Sequence, residues 1–221
     1  MSLRKDCADR LRTHYRSLTG NKLGASHAHE LVAAFFGYGT AAALQAETRF
    51  PLSALGEAEV LIPDLPLMDK RVRSIRGLPK DLPSVDALVS LLCDYLADNG
   101  YFDGRFWTSR HLSDDINAFV QHDPMMIEAE LSGEMASTNA YFDELYIEDF
   151  EFSAAEDAFV ATLTGSLNGE NDRDRAFHGD KINFTTVMTF ERVAGRIAYR
   201  EPELETGGSV DDSMYYDEDF T

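Results

Sequence analysis

The chain has 221 residues, enough for one large domain or two small ones, with 44% apolar residues and 11% aromatics, an ordinary supply for a globular core. Charge is unusual: residues 1–110 hold 14 Lys/Arg against 13 Asp/Glu, and residues 111–221 hold 6 against 26. That asymmetry suits a soluble acidic bacterial-type protein with a charged partner. The two cysteines, Cys7 and Cys93, form no Cys-x-x-Cys pair, which excludes zinc ribbons and thioredoxin-type redox motifs.

The start of the chain, Met1-Ser2-Leu3-Arg4-Lys5-Asp6, lacks an apolar signal region, and no run approaches 18 apolar residues. The expectation is a cytoplasmic protein with no membrane contact. Leu3, Cys7, Leu11, Tyr15 and Leu18 recur at helical spacing, so residues 3–18 predict a basic amphipathic helix. Gly20, Asn21 and Gly24 end it.

Ser26 is the expected N-cap of the next helix, with Ala28, Leu31, Val32 and Phe35 on one face. Gly37 suits the position just past its end, and Thr40 suits the cap of a third helix from Ala41 to about Thr48. Residues 50–66, with Pro51, Pro63 and Pro66, read as a linker. A short basic helix is expected over Leu67–Ile75, and a Ser84-capped helix to about Asp98, with Cys93 as a packed thiol. Further helices are expected around Ser113–Val120 and over Pro124–Met135.

After Ser137 the texture changes. Residues 141–152 mix aromatics with acids, and 159–167 and 182–190 alternate with a period of two. A turn at Val193–Arg196 leads to a last strand at Ile197–Arg200. The fold class expected is α+β: a helical N-terminal part (residues 1–50 and 51–137), an antiparallel meander of about four strands (138–204) covered by helices on one face, and a flexible acidic tail (205–221). Asp211, Asp212, Asp217, Glu218 and Asp219, with Tyr215, Tyr216 and Phe220, fall in that tail.

His27 and His29 are two apart and do not share a helix face, and Ala33 stands where a zincin needs its second histidine. No metal site is expected. The loop with Asn168, Glu170, Asp172 and Asp174 lacks the glycine and glutamate of an EF-hand. Phosphate-binding loops, dinucleotide fingerprints and nucleophile elbows are missing, so no cofactor is expected. An enzyme with an unfamiliar site would have to draw on His111, His122, Asp114, Asp115 and His178.

Two binding surfaces stand out. Asp143, Glu144, Glu148, Asp149 and Glu151 make a carboxylate-rich strand, which predicts a non-enzymatic interaction protein with a basic protein partner. The alternative is a DNA-binding regulator. Ala33 and Gly37 have helix–turn–helix spacing, with Arg12, Arg16, Gln45, Arg49, Lys70, Arg71 and Arg73 as candidate nucleic-acid contacts. The alanine-rich third helix leaves little to read base edges.

Ser26, His27, Glu30, Ala33, Gly37, Tyr38 and Leu44 together resemble the small helical module at the N-terminus of some bacterial glyoxalase-related proteins. The resemblance spans residues 20–50 and implies a shared module, not a shared reaction, because paired βαβββ units and metal ligands are lacking. The apolar face Leu31, Val32, Phe35 and Phe36 needs a cover, either neighbouring helices or a homodimer partner.

Overall fold

A computed structural model describes residues 2–171 and 179–211. They form two compact units that do not follow the four sequence segments: residues 2–112 with 191–201, and residues 113–171 with 179–190 and 202–211. Helices and strands are both abundant, and the fold is α+β.

The first unit is built on α1 (Leu3–Thr19), α2 (Ala25–Phe35), α3 (Ala41–Ala46), α4 (Leu65–Ser74) and α5 (Val85–Asp98). Helix α2 is its centre, packing against α1, α3 and α4, while α1 and α4 also meet α5. Every residue from Leu31 to Phe36 is fully buried. Each large apolar side chain so buried contributes about 1.5–3 kcal/mol. Ala28, Ala33 and Ala34 are buried with them and let the neighbouring helices come close. The apolar face is therefore covered within the unit, by helices of the same chain.

The ends of α2 divide the expectations. Ser26 is not the cap. The helix starts at Ala25 after Gly24, whose carbonyl already accepts the Ala28 N–H at 3.0 Å, so Ser26 lies inside the first turn. The C-terminus is as expected: Gly37 has φ +83°, its N–H donates to the Ala34 carbonyl at 3.0 Å, and Tyr38 N–H donates to Ala33 at 2.8 Å. These two bonds make a Schellman motif. Thr40 Oγ1 accepts the Ala43 N–H at 3.1 Å and caps α3, which stops at Ala46. Ser84 caps α5 in the same way. Asp64, unforeseen, caps α4 by accepting the Leu67 N–H at 2.8 Å.

Residues 50–66 are not a plain linker. They hold a 3-10 helix (Leu52–Glu57) and β1 (Val60–Leu61). Strand β1 pairs in parallel with β2 (Arg105–Phe106) and antiparallel with β6 (Ala198–Tyr199). Strands of two residues have no periodicity to read, and their partners come from far along the chain.

The second unit contains α6 (Leu112–His122) from residue 113 onward, α7 (Met125–Glu128), α8 (Ser132–Ala136), β3 (Ala140–Ala154), β4 (Ala158–Asn171), β5 (Lys181–Ala194) up to Phe190, and β7 (Glu203–Val210). The helix expected over 124–135 is two pieces, and the turn between them holds Leu131 fully buried beside Ile127. Helix α8 touches β3 and β7, and α7 touches β7. Strand β3 pairs antiparallel with β4, β4 neighbours β5, and β5 pairs antiparallel with β7 from Ile182↔Val210 to Thr189↔Glu203.

The expected last strand is thus divided. Residues 198–199 form β6, which joins the first unit, where Arg192 and Ala194 of β5 pair with Tyr199 and Ala198. The next strand, β7, takes residues 205–210 from the segment read as a flexible tail. Its sequence is polar and glycine-rich, but Leu204, Thr206, Gly208 and Val210 alternate toward the interior. A Cβ on Gly208 would sit 2.6 Å from Leu131 Cδ2, so glycine makes room for that buried leucine. Asp212, Asp217, Glu218, Asp219 and the tail aromatics lie outside the described residues, as do Asp172, Asp174 and His178.

Candidate partner-binding surface

Strand β3 carries the carboxylates, and its register explains how they come to face water. Phe142 pairs with Gly169 and Glu144 with Asn168, which leaves Asp143 as an inserted residue. Ile147 pairs with Gly165 and Asp149 with Thr164, which leaves Glu148 inserted. Each insertion is a β-bulge, and each advances the alternation by one. Phe142, Leu145, Ile147 and Phe150 consequently share the less exposed face, while Asp143, Glu144, Glu148, Asp149 and Glu151 are all exposed. Strict alternation from Phe142 would instead turn Glu144 and Glu148 inward and Leu145 outward. Burying an unpaired carboxylate costs several kcal/mol, so the bulges decide which face is the core.

Both bulges stand opposite a glycine of β4. A Cβ on Gly165 would collide with the Tyr146 carbonyl oxygen and lie 2.8 Å from Phe184 Cζ. A Cβ on Gly169 would collide with the Tyr141 carbonyl oxygen and come within 2.8 Å of its carbon. The crowded backbone of each bulge is admitted only because the facing residue has no side chain. Among the described residues β3 pairs with β4 alone, so it is an edge strand. Bulges and charge both discourage strand-on-strand addition along such an edge.

Among the described residues the carboxylates have few local partners. Ser166 Oγ donates to Glu148 Oε1 at 3.4 Å, and the Lys181 ammonium lies 3.9 Å from the same oxygen. Tyr146 donates its hydroxyl to Glu144 at 3.1 Å, and this bond to an anion raises the phenol above its ordinary pKa. Glu203 and Glu205 of β7 add exposed carboxylates, opposite Thr189 and Val187. Across the outer face of the sheet runs an open groove of about 470 Å3, lined by Glu148, Thr164, Asn183, Thr185, Gly207 and Ser209 among others. Sequence reasoning missed all of these but Glu148. Their signal was present as polar residues at every second position of two strands and as the Gly207–Gly208 pair.

The candidate nucleic-acid residues all lie in the first unit, on α1, α3 and α4 and just after α3. Arg12 is paired with Asp9 at 2.9 Å, and Arg71 with Glu30 at 2.6 Å, tying α4 to α2. Gln45 accepts from Arg4 at 3.1 Å. The Arg49 guanidinium stacks on the Phe50 ring, 5.2 Å from its centroid, and Arg192 does the same at 5.3 Å. Arg16 on α1 and Lys70 and Arg73 on α4 are exposed. Helix α3, in the position of a recognition helix, has six residues.

Among the described residues no three His, Cys, Asp or Glu side chains are grouped as they would be around a metal ion. His27 and His29 are half-buried on α2. His111 lies in the first unit and is exposed, and His122, at the end of α6, is exposed in the second, where Asp114 and Asp115 lie in the first turn of that helix. Asn168 and Glu170 lie in β4, paired with Glu144 and Tyr141, and belong to the strand ladder rather than to a loop. No described helix is long and apolar enough to cross a membrane.

These features define an α+β protein of two compact units, one of which displays a carboxylate-rich sheet face with an open polar groove. No protein-family model, curated protein or solved structure matches the chain.

Proposed function

We propose that the protein is a non-enzymatic binding module whose β3 face takes a basic protein partner. The observation that carries this reading is the pair of bulges at Asp143 and Glu148, which hold five carboxylates outward on one edge strand. Concentrating like charge in this way opposes compactness, and a cationic surface docking there relieves the repulsion. Attraction of this kind chiefly raises the rate of encounter and weakens with salt.

The test is fluorescence anisotropy of a labelled lysine- and arginine-rich peptide with the full chain, at increasing salt. Binding at low salt is expected, weakening steeply as salt rises. A variant with Asp143→Asn, Glu144→Gln, Glu148→Gln, Asp149→Asn and Glu151→Gln should bind at least about tenfold more weakly, as loss of several charge-assisted contacts implies. Unchanged binding by that variant, or none by the native chain, rejects the reading. A DNA duplex in the same assay tests the regulator alternative.

A further inference from the structure

The groove on the outer face adds something that the carboxylates alone do not: a shaped place for one side chain. We propose that it is a recognition slot for an arginine of the partner, which makes the surface selective for arginine over lysine. This inference rests on the basic-partner reading above.

The slot runs across the strands. Glu148 of β3 stands at one end, Thr164 of β4 and Asn183 and Thr185 of β5 follow, and Gly207 and Ser209 of β7 close the other. The register sets Asn183 beside Ser209 and Thr185 beside Gly207, so these four positions share one stretch of the face. Gly207 is what opens the trough, since its neighbours on that face all carry side chains. The volume, about 470 Å3, accommodates an extended long side chain.

The chemistry of the lining favours a guanidinium. A carboxylate, a side-chain amide and three hydroxyls offer several oxygen acceptors spread along the slot. An ammonium is a compact point charge with three donors, whereas a guanidinium presents five donors in a plane. A planar cation also lies flat against backbone where glycine leaves it bare. Glu148 is suited to the charged end. Among the described residues the Ser166 hydroxyl and the Lys181 ammonium both approach its Oε1. Lys181 at 3.9 Å is a loosely held cation at the very carboxylate where a partner's cation would sit.

A single substitution separates the slot from the general charge. A Cβ on Gly207 meets nothing within 4 Å, so Gly207→Val fits the fold, fills the slot and leaves every carboxylate in place. The experiment measures affinity of the full chain for nona-arginine and nona-lysine peptides of equal charge, in the native protein, in Gly207→Val and in Glu148→Gln. Nona-arginine should bind the native chain about tenfold more tightly than nona-lysine, the difference one additional charge-assisted hydrogen bond makes. Gly207→Val should bring nona-arginine down to the affinity of nona-lysine, with circular dichroism and melting temperature as checks on the fold. Glu148→Gln should weaken nona-arginine more than nona-lysine. Equal binding of both peptides, or a preference that survives Gly207→Val, overturns the slot and leaves the basic-partner reading standing. Binding of neither peptide overturns both.

Discussion

The bulged residue Glu148 on β3 lies beside the Ile147↔Gly165 pair, where any Cβ on Gly165 would run into the Tyr146 carbonyl. One residue's exposure therefore depends on another's lack of a side chain. Gly165→Ala should destabilise the protein by about 1–3 kcal/mol, the usual range for forcing atoms into packed structure. Urea denaturation followed by circular dichroism would measure it. A change under about 0.5 kcal/mol, the scatter of a neutral surface substitution, would mean that the strand pair is not crowded there.

Gly37 and Gly20 offer a matched comparison. Both have positive φ, +83° and +74°, and both follow a helix. A Cβ on Gly37 would fall 2.7 Å from Arg196 Cβ, whereas Gly20 has open space. Alanine at Gly20 should cost about 1 kcal/mol from backbone strain alone. Alanine at Gly37 should cost at least about 1 kcal/mol more, because the turn containing Arg196 must also move. Equal losses in thermal melts would remove the steric part of this account.

The two ion pairs Arg71–Glu30 and Arg12–Asp9 differ in setting. The first joins α4 to α2 with side chains 23% and 27% exposed; the second is an exposed pair within α1. Arg12→Ala should change stability by less than about 0.5 kcal/mol. Glu30→Gln should cost roughly 1–3 kcal/mol, since it leaves a half-buried guanidinium without its counter-charge. Denaturation midpoints at low and high salt would show the difference, with the α4–α2 pair the less sensitive to salt.

Cys7 and Cys93 are buried, and burial pushes each thiol up from about 9 to about 12. In the folded chain each keeps its proton where the unfolded chain has lost it. The contribution is thus fully present below pH 9 and is lost as pH rises from 9 toward 12, at about 1.4 kcal/mol per pH unit per thiol. Denaturation at pH 8.0, 9.0 and 10.0 should show stability falling over the upper interval, and less steeply in Cys7→Ala or Cys93→Ala. Thiol-specific reagents at pH 8 should label neither cysteine until denaturant is added, because the thiolate is the reacting form. Rapid labelling of the native chain would contradict the burial.

Much of the helical part was legible in the sequence because its signals are local. The stripe Leu3, Cys7, Leu11, Tyr15, the cap Thr40 and the turn at Gly37 each involve residues within a few positions of one another. Leu18, on the same stripe, is 60% exposed, since nothing in the sequence says where a helix runs past its neighbours. Ser26 misled for a related reason: a hydroxyl can cap only where the chain enters the helix, and the helix already begins at Ala25, after Gly24.

The carboxylates of β3 were legible too, as a cluster, but not their arrangement. The apolar spacing Phe142, Leu145, Ile147, Phe150, Phe152, alternately three and two, records the bulges once the partner strand is known. Without Gly165 and Gly169 opposite, that spacing has no meaning as a strand. Arg71 shows the converse, a candidate nucleic-acid contact that the fold joins to Glu30, 41 positions away.

By itself the sequence determined the division of charge, the α+β class, most helix boundaries and which strand is acidic. Each follows from composition or from periodicities of two and 3.6 residues. Tertiary structure alone decided that β1 pairs with β2 and with β6 near the other end of the chain, and that residues 205–210 complete a sheet. It also decided that Thr164, Asn183, Thr185, Gly207 and Ser209 meet Glu148 in one groove. Such choices depend on register between distant strands, and one residue of register exchanges the two faces of a strand.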